Sequence, residues 1–485
     1  MFHWQLFCSA LLIVIVGSFH VGYQSSTSNG ASIAIKEFFS NATNGADIEL
    51  MFNSYSSCLM LSGVVGALAA PIAADRYGRK TTLLVICVLE LFFLAFGIAG
   101  SFIVSTLGVV FMFVMRLGMG AMCAAGMTVQ SALLTESAPV NLRGAVNTLS
   151  GAFIQAAFTI GLVVASPSTM GNKSLWQYLN VVEAGIVALD LLGLALFTHE
   201  SPAWLILHDK IDKAKEAVGF YHSKAMEETD LVVSNMAAEL TSQSTEVLSF
   251  GQILGDRVIR KGVLIGCTVC LIVAFSGLFA MNFFCVELLT DTGFSPETAA
   301  NITIGIGAVG TAMCVVTYFV IEKLGRKPLL IISCIGCLIG NVLMMVMGLV
   351  NERYPSNVFG YIFILAEIIF FCSFVVGLGP IAVSYTTELV PQSASAKGQS
   401  VAMIVWYFFS FLTPIIFMQL NAAVGFYCFL LFIVPLILAT VFCWIFAIET
   451  KNKTLAEIQV ALGAKPRKEN MQMRDVSPPP PAYKQ

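Results

Sequence analysis

DRYGRK, Asp75 to Lys80, stands between two apolar runs, and EKLGRK, Glu322 to Lys327, stands between two more, 247 residues further on. The same charged turn written twice asks for a chain made of two copies of one unit. Its surroundings say what kind of unit. Hydrophobic residues make up 57% of the 485, charged residues only 11%, and mean hydropathy is +0.83, far from the balance of a soluble domain. About 20 apolar residues in a helix cross a bilayer core about 30 Å thick. The chain offers twelve such stretches: 6–24, 54–74, 82–102, 107–135, 145–166, 176–197, 262–289, 298–321, 328–350, 357–390, 397–420 and 423–447. The first is read as a helix rather than a signal peptide, because residues 1–5 carry no Lys or Arg and the segment runs on into the polar SSTSNG, 25–30.

Charge orients the helices. Of the 26 Lys and Arg residues, 22 fall in loops and a tail on one face, whereas Lys36, Lys173 and Arg353 fall on the other and Arg116 lies inside the fourth helix. Positive residues are retained in the cytoplasm, so both termini are expected there. The sequons at Asn41, Asn172 and Asn301 all fall on the face this rule makes external, where they are candidate glycosylation sites, and a fourth, at Asn452, falls on the cytoplasmic tail. All 13 cysteines sit in the proposed helices, and Cys267-x-x-Cys270 and Cys334-x-x-Cys337 lie in apolar runs without His or Asp nearby. They read as packing residues, with no disulfide, metal or cofactor expected.

Three features recur at nearly the same offset, 247 to 252 residues, which marks duplication. Besides the opening turn, TESAPVNLRG, with Glu136 and Arg143, answers to TELVPQSASAKG, with Glu388 and Lys397, 252 residues on, and HESPAWL, with Glu200, answers to IETKNKTL, with Glu449, 249 residues on. The expected fold is therefore an all-α membrane protein of twelve transmembrane helices in two six-helix pseudo-repeats. The halves are 1–198 and 262–450, joined by a polar cytoplasmic linker at 199–261, expected to be helical, and followed by a tail at 451–485 with a disordered Pro-rich end. Ser201-Pro202 suits a helix start, with Ser as cap and Pro in the first turn.

These motifs resemble those of the sugar porters of the major facilitator superfamily, most closely the animal facilitative glucose transporters, over roughly 5–460. HESPAWL looks like the family's PESPRWL, ETKNKTLAEI like its PETKGRTFDEI, and GLGPIAVSYTTE like its GPGPIPW…E. Charges at helix ends beside lipid are costly unless paired, so Arg79 and Arg326 are expected to engage Glu136, Glu388, Glu200 or Glu449. The resemblance implies that Asp75, Arg79, Glu136, Arg143 and Glu200, with Glu322, Arg326, Glu388, Lys397 and Glu449, form a cytoplasmic lock that closes when the site faces outward, the alternative being that they only set topology. Gly377, Gly379 and Pro380 interrupt the tenth helix where a gate would bend, with packing by small residues as the alternative.

The resemblance also shows how far the pocket departs from the family. The family's helix-seven Gln pair falls on Val273 and Ala274 and the following Asn on Phe279; its helix-eight Asn falls on Gly310, its helix-ten Trp on Val383, its helix-eleven Asn on Phe408 and its helix-five Gln on Gly151. The remaining candidate substrate-binding residues are Gln24, Gln130, Gln155, Thr159, Asn282, Ser384 and Tyr385, with Trp406 and Tyr407 as stacking platforms; each could equally serve as helix-packing glue. Three readings stay open: a uniporter of a small polar solute, a hexose on family grounds; a carrier re-lined for a less hydroxylated solute; and a non-transporting sensor or scaffold. No His-centred triad, nucleotide loop or metal cluster points to an enzyme. Proton-driven members carry an Asp in the helix-one motif, where this chain has Gln24, so uptake is expected to ignore a pH gradient. The tail's Pro480-Pro481-Ala482-Tyr483 fits a WW-domain groove, with an unbound tail as the alternative.

Overall fold

The computed structural model describes residues 4–43, 47–139, 142–222, 226–242, 248–453 and 455–464. Among them there are helices and no strands. The first is a run from Trp4 to Gly30: α1 (Trp4–Val14), a π turn (Ile15–Phe19) and α2 (His20–Gly30). There the structure differs from the sequence expectation. The polar SSTSNG continues the helix, and every residue of α2 except Val21 is buried; Ser25, Ser26, Ser28 and Asn29 find hydrogen-bond partners within the protein. A short α3 (Ser32–Ala42), not foreseen, caps that end. Then come α4 (Ile48–Tyr77), α5 (Arg79–Phe102), α6 (Thr106–Ser137), α7 (Arg143–Val164) and α8 (Leu179–Phe197).

Between the halves lie α9 (Pro202–Leu207), α10 (Ile211–His222), α11 (Met226–Ser242) and α12 (Phe250–Gly255). The Ser201 hydroxyl accepts from the Trp204 N–H at 3.1 Å and Pro202 occupies the first turn, so α9 starts where the backbone donors are already provided for. The second half holds α13 (Arg257–Ala274), α14 (Leu278–Asp291), α15 (Pro296–Leu324) and α16 (Arg326–Arg353). It continues through α17 (Asn357–Ser373), a π turn (Phe374–Leu378), α18 (Gly379–Leu389), α19 (Gln392–Val424), a 3₁₀ turn (Gly425–Phe429), α20 (Leu430–Phe446) and α21 (Leu455–Leu462). Gly277, at φ 101°, breaks the apolar run Arg257–Asp291 between α13 and α14, and the second π turn holds Gly377 just ahead of Gly379 and Pro380.

Ten helical runs among the described residues are long and apolar enough to cross a membrane. One of them, Ser393–Phe446, has 54 residues and contains both α19 and α20, and Leu149–Val164 within α7 is a shorter apolar stretch. Within the first half α4 and α5 pack on α6, α2 on α7, and α5 on α8; within the second, α16 packs on α17 and α20, and α13 on α18 and α19. The halves meet along α4–α19, α7–α15 and α2–α14.

The repeated turn has one geometry. Gly78 (φ 103°) and Gly325 (φ 87°) end α4 and α15 in a backbone conformation that L residues adopt only at a cost. The next helix then presents its free N–H groups to a carboxylate arriving from the end of its half. Glu200 accepts from the N–H groups of Arg79 (2.7 Å), Lys80 (3.0 Å) and Thr81 (3.3 Å), and Glu449 from those of Arg326 (2.9 Å) and Lys327 (3.1 Å). Burial pushes the Glu449 carboxyl up, but the N–H groups of Lys451, Arg326, Lys327 and Thr450 together outweigh it and hold the group below its ordinary value of 4.5.

The glycines are thus required twice over: a Cβ at Gly325 would stand 2.6 Å from Glu449 Oε2, and one at Gly78 would collide with Glu200 Oε2. Gly78→Ala or Gly325→Ala should each cost about 1–2 kcal/mol from the backbone alone. Gly185→Ala in α8, where a Cβ would meet nothing within 4 Å, should be neutral or slightly stabilising. Thermal melts of the three purified variants check this, and a Gly78→Ala protein that melts with wild type would contradict it. For Glu449, a lowered carboxyl contributes stability that is present above pH 4.5 and lost as the pH falls below it. The melting gap between wild type and Glu449→Gln should accordingly be widest near neutrality and close on acidification.

Candidate functional site

Of the residues expected to form a cytoplasmic lock, Asp75, Arg79, Glu136, Glu200, Arg326, Glu388 and Glu449 gather at the end of the bundle that carries the two repeated turns. The Arg79 guanidinium reaches Glu136 Oε1 (3.0 Å), Asp75 (3.1 Å) and the Ala74 carbonyl (3.1 Å), and Glu136 also accepts from the Ser201 hydroxyl. In the second half Arg326 pairs with Glu388 (3.3 Å), which accepts from Thr450 Oγ1 at 2.5 Å. Glu200 and Glu449 meet backbone N–H groups rather than the Arg side chains. Lys397 is not in this network: its Nζ donates to the Leu248 carbonyl at 2.9 Å and lies over the Phe250 ring, tying α19 to the linker. The side chains of Arg143 and Glu322 lie outside the described residues. The Arg79 and Arg326 ion pairs each stay within their own half.

The opposite end is bridged instead. Lys36 on α3 pairs with Glu287 on α14 at 2.9 Å and with Glu49 at 2.5 Å. Asn29 donates to the Asn282 carbonyl (3.0 Å) and accepts from the Val286 N–H (3.2 Å), so α2 is joined to α14 through both faces of one amide. The Phe52 and Phe284 rings meet edge to face beside this contact. Midway, Thr159 bonds Thr311 at 3.1 Å, and Gln155 lies against Gly310, filling the room that the missing side chain leaves.

The expected pocket residues separate into three places. Gln155, Thr159 and Tyr407, whose ring lies on Gly63, sit on the seam between the halves; Asn282 contributes its backbone to the same seam. Gln24 and Gln130 lie inside the first half, where Gln130 exchanges hydrogen bonds with the Ser18 backbone N–H and hydroxyl. Ser384 and Tyr385 lie near the second lock: Ser384 donates to Glu388 at 3.4 Å, and the buried Tyr385 hydroxyl donates to the Ile448 carbonyl at 2.6 Å and accepts from its N–H at 2.8 Å. Trp406 is half-buried on α19. Val273 and Ala274, where the family has its Gln pair, are fully buried in the packed core. Longer side chains there would overpack it, typically at about 1–3 kcal/mol. Asn41, Asn172 and Asn301 are at least partly accessible; Asn172 accepts from the Ser174 hydroxyl of its own sequon at 2.8 Å, whereas Asn301 lies on α15. Pro480, Pro481 and Tyr483 lie outside the described residues.

Inside the first half runs a chain of buried polar groups. Arg116 on α6, 1% exposed, donates to the Gln24 carbonyl (2.9 Å), to Gln24 Oε1 and to Ser28 Oγ (2.8 Å), with its guanidinium over the Tyr55 ring. The Gln24 amide donates in turn to Glu183 on α8, whose other oxygen meets His20 Nδ1 at 3.1 Å. Glu90 on α5 and Asp190 on α8 are also buried, and in the second half Glu367 lies buried beside Cys285. None of Glu90, Glu183, Asp190 and Glu367 was among the expected site residues. The available signal was simple: an ionisable residue interrupting an apolar span marks a functional candidate.

Comparison with known proteins places this geometry. The family model described as "Sugar (and other) transporter" matches residues 10–462. Facilitated glucose transporter member 2 of solute carrier family 2 from Gallus gallus is 27% identical over 466 residues, covering 94% of this chain and 84% of its own length. Member 3 from Canis lupus familiaris is 27% identical over 463 residues, covering 93% and 91%. Among solved structures, the inward open conformation of the xylose transporter XylE from E. coli superposes with a TM-score of 0.77 at 18% identity, covering 94% of this chain and 99% of its own. Its partially occluded inward open form gives 0.76 at 20%, covering 93% and 100%. With the family model spanning nearly the whole chain, and the fold shared end to end, this protein belongs to the sugar transporter family of the major facilitator superfamily.

Proposed function

We propose that the protein is a facilitative carrier of a small polar solute, working by alternating access in the plasma membrane. It would cross the bilayer twelve times, with α7 and both α19 and α20 counted as spans and with both termini and the paired locks on the cytoplasmic side. One observation carries the reading: the two halves are bridged at one end by Lys36–Glu287 and Asn29, while the ion pairs at the other end hold each half separately. That is the arrangement of a carrier shut to the outside and released toward the cytoplasm. Opening outward then requires the Lys36 and Asn29 contacts to part and the lock faces of the two halves to approach. Gly277 and the π turn before Gly379 and Pro380 supply bends in the two spans nearest that motion.

A hexose-type sugar is favoured as solute because the curated relatives are named facilitated glucose transporters. Gln24 in place of the helix-one Asp of the proton-driven members favours downhill transport. The second reading, a carrier re-lined for a less hydroxylated solute, is favoured by the packed Val273 and Ala274. Each solute hydroxyl left without a partner costs about 1–3 kcal/mol, so tight glucose binding is not expected. We retain a WW-domain protein as the proposed partner of the tail.

Uptake of labelled hexoses, polyols and organic anions into cells expressing the protein decides among these readings. A hexose taken up with weak affinity supports the first; low-millimolar glucose uptake would overturn the pocket assignment, and no uptake of any solute would favour the sensor. The bridge has its own test. Lys36→Ala should release the outer end, so that a cysteine placed at Phe284 reacts with an impermeant maleimide several-fold faster than in the parent; equal labelling would show that Lys36 does not hold the halves together.

A further inference from the structure

Three carboxylates, an imidazole and a guanidinium are enclosed in the first half, more charge than its hydrogen bonds account for. Glu90 and Glu183 are 0% exposed, His20 0% and Asp190 3%. Both oxygens of Glu90, both oxygens of Asp190 and Nε2 of His20 have no hydrogen-bond partner among the described residues. His20 Nδ1 meets Glu183 at 3.1 Å, and Glu90 and Asp190 are buried on α5 and α8, which pack on one another and both touch the π turn that leads into His20.

Glue between helices does not explain these groups, because a buried polar atom left unpaired is a net cost of about 1–3 kcal/mol, and more for a charged one. An enclosed carboxylate without a partner requires either a cation or a proton. A bound metal ion is disfavoured, since the described residues include no set of three or more His, Cys, Asp or Glu side chains close enough to hold one. A proton is the ligand that fits.

The other titratable groups facing the cluster are Tyr23 on α2, Cys87 on α5, Cys123 and Arg116 on α6, and Tyr55 and Cys58 on α4. Of these only Arg116 is an ordinary cation, and its donors go to Gln24, Ser28 and the Tyr55 carbonyl rather than to an acid. Gln24 joins the two sets without being able to titrate: it accepts from Arg116 and donates to Glu183. Ser28, held by Arg116, directly precedes Asn29, the residue that ties α2 to α14 across the seam. At the other end of α2 the π turn Ile15–Phe19 runs into His20, a break in helical register of the kind found at functional sites.

We propose that His20, Glu90 and Asp190, with Glu183, form a proton-binding site whose occupancy is linked, through Gln24 and Arg116, to the opening of the seam held by Asn29. The site rests on the carrier reading and does not need a helix-one Asp to take the proton. It revises the expectation, drawn from Gln24 alone, that uptake ignores pH. A proton entering the cluster changes the charge that Glu183 presents to Gln24, and α2 carries that change to the seam.

The test uses the full-length protein in liposomes with equal pH on both faces, so that no gradient drives the solute. Uptake should change at least about fivefold between about pH 5.5 and about pH 8.5, and His20→Gln, Glu90→Gln and Asp190→Asn should each flatten that profile. Trp176 lines a small cavity with Gln24 and Arg116, which gives a readout without solute: tryptophan emission of the purified protein should titrate over the same range, vary less in Glu90→Gln, and lose the change in Trp176→Phe. A flat wild-type response in both assays, or a profile kept by all three substitutions, would overturn the site. If no solute moves at any pH, the carrier reading fails while the emission titration still decides the site. Accumulation of solute above equilibrium under an imposed inward proton gradient would support the site and refute downhill transport.

Discussion

Two carboxylates hold the architecture at one end: Glu200 seated on the N-terminus of α5 and Glu449 on that of α16. Each arrives from the last helix of its half and meets N–H groups that no helix can satisfy internally. The carboxylates take these donors and are themselves charge-paired by the helix N-termini, so the pairing solves two problems at once. It also requires the glycine at the turn, because only a residue without Cβ admits both the positive φ and the approaching carboxylate. The Arg79–Glu136 and Arg326–Glu388 pairs are built outward from these seats, and α9 is docked beneath by Ser201 and by Trp204, whose indole N–H donates to the Asp75 carbonyl at 2.9 Å. Both halves therefore behave as tied units, which is what rigid-body rocking needs.

Between the units the contacts are of another kind. Along the seam they include a few hydrogen bonds, one partly buried ion pair, the Phe52–Phe284 ring contact, and small residues against larger ones, Gly310 against Gln155 and Gly63 against Tyr407. Contacts of this sort are individually modest, about 0.5–1.5 kcal/mol for a typical hydrogen bond, and can be exchanged for others in a second arrangement. The strong, multiply bonded clusters lie within halves, and the exchangeable ones lie between them. That division of strength lets a membrane protein move without loosening its helices.

Much of this was legible in order of increasing range. Hydropathy marked the spans, and the recurrence of GRK, Glu136/Glu388 and Glu200/Glu449 marked two related halves, since charge at a helix end is a local signal. Helix bounds were less legible: SSTSNG reads as a loop by composition, yet it is helix, because Ser28 and Asn29 find Arg116 and α14. The pocket was least legible. Gln130 and Tyr385 are polar residues in apolar spans, and only the neighbouring helix reveals that Ser18 and Ile448 already satisfy them. Lys397 pointed to a lock by its place in the repeat, but tertiary contact gives it to the linker.

What the sequence alone determined is the family and the repeated turn chemistry, because each depends on residues within one helix length of one another or on a pattern repeated along the chain. What only the tertiary structure decided is partnership: that Glu200 and Glu449 bind backbone rather than Arg, that Lys36 spans the halves, and that His20 meets Glu183. These residues are as much as 251 positions apart, as Lys36 and Glu287 are, and in a bundle of many apolar helices the sequence does not say which faces meet. Side-chain chemistry is local, whereas the dielectric and the partners that give a charge its role are set by the packing of helices around it.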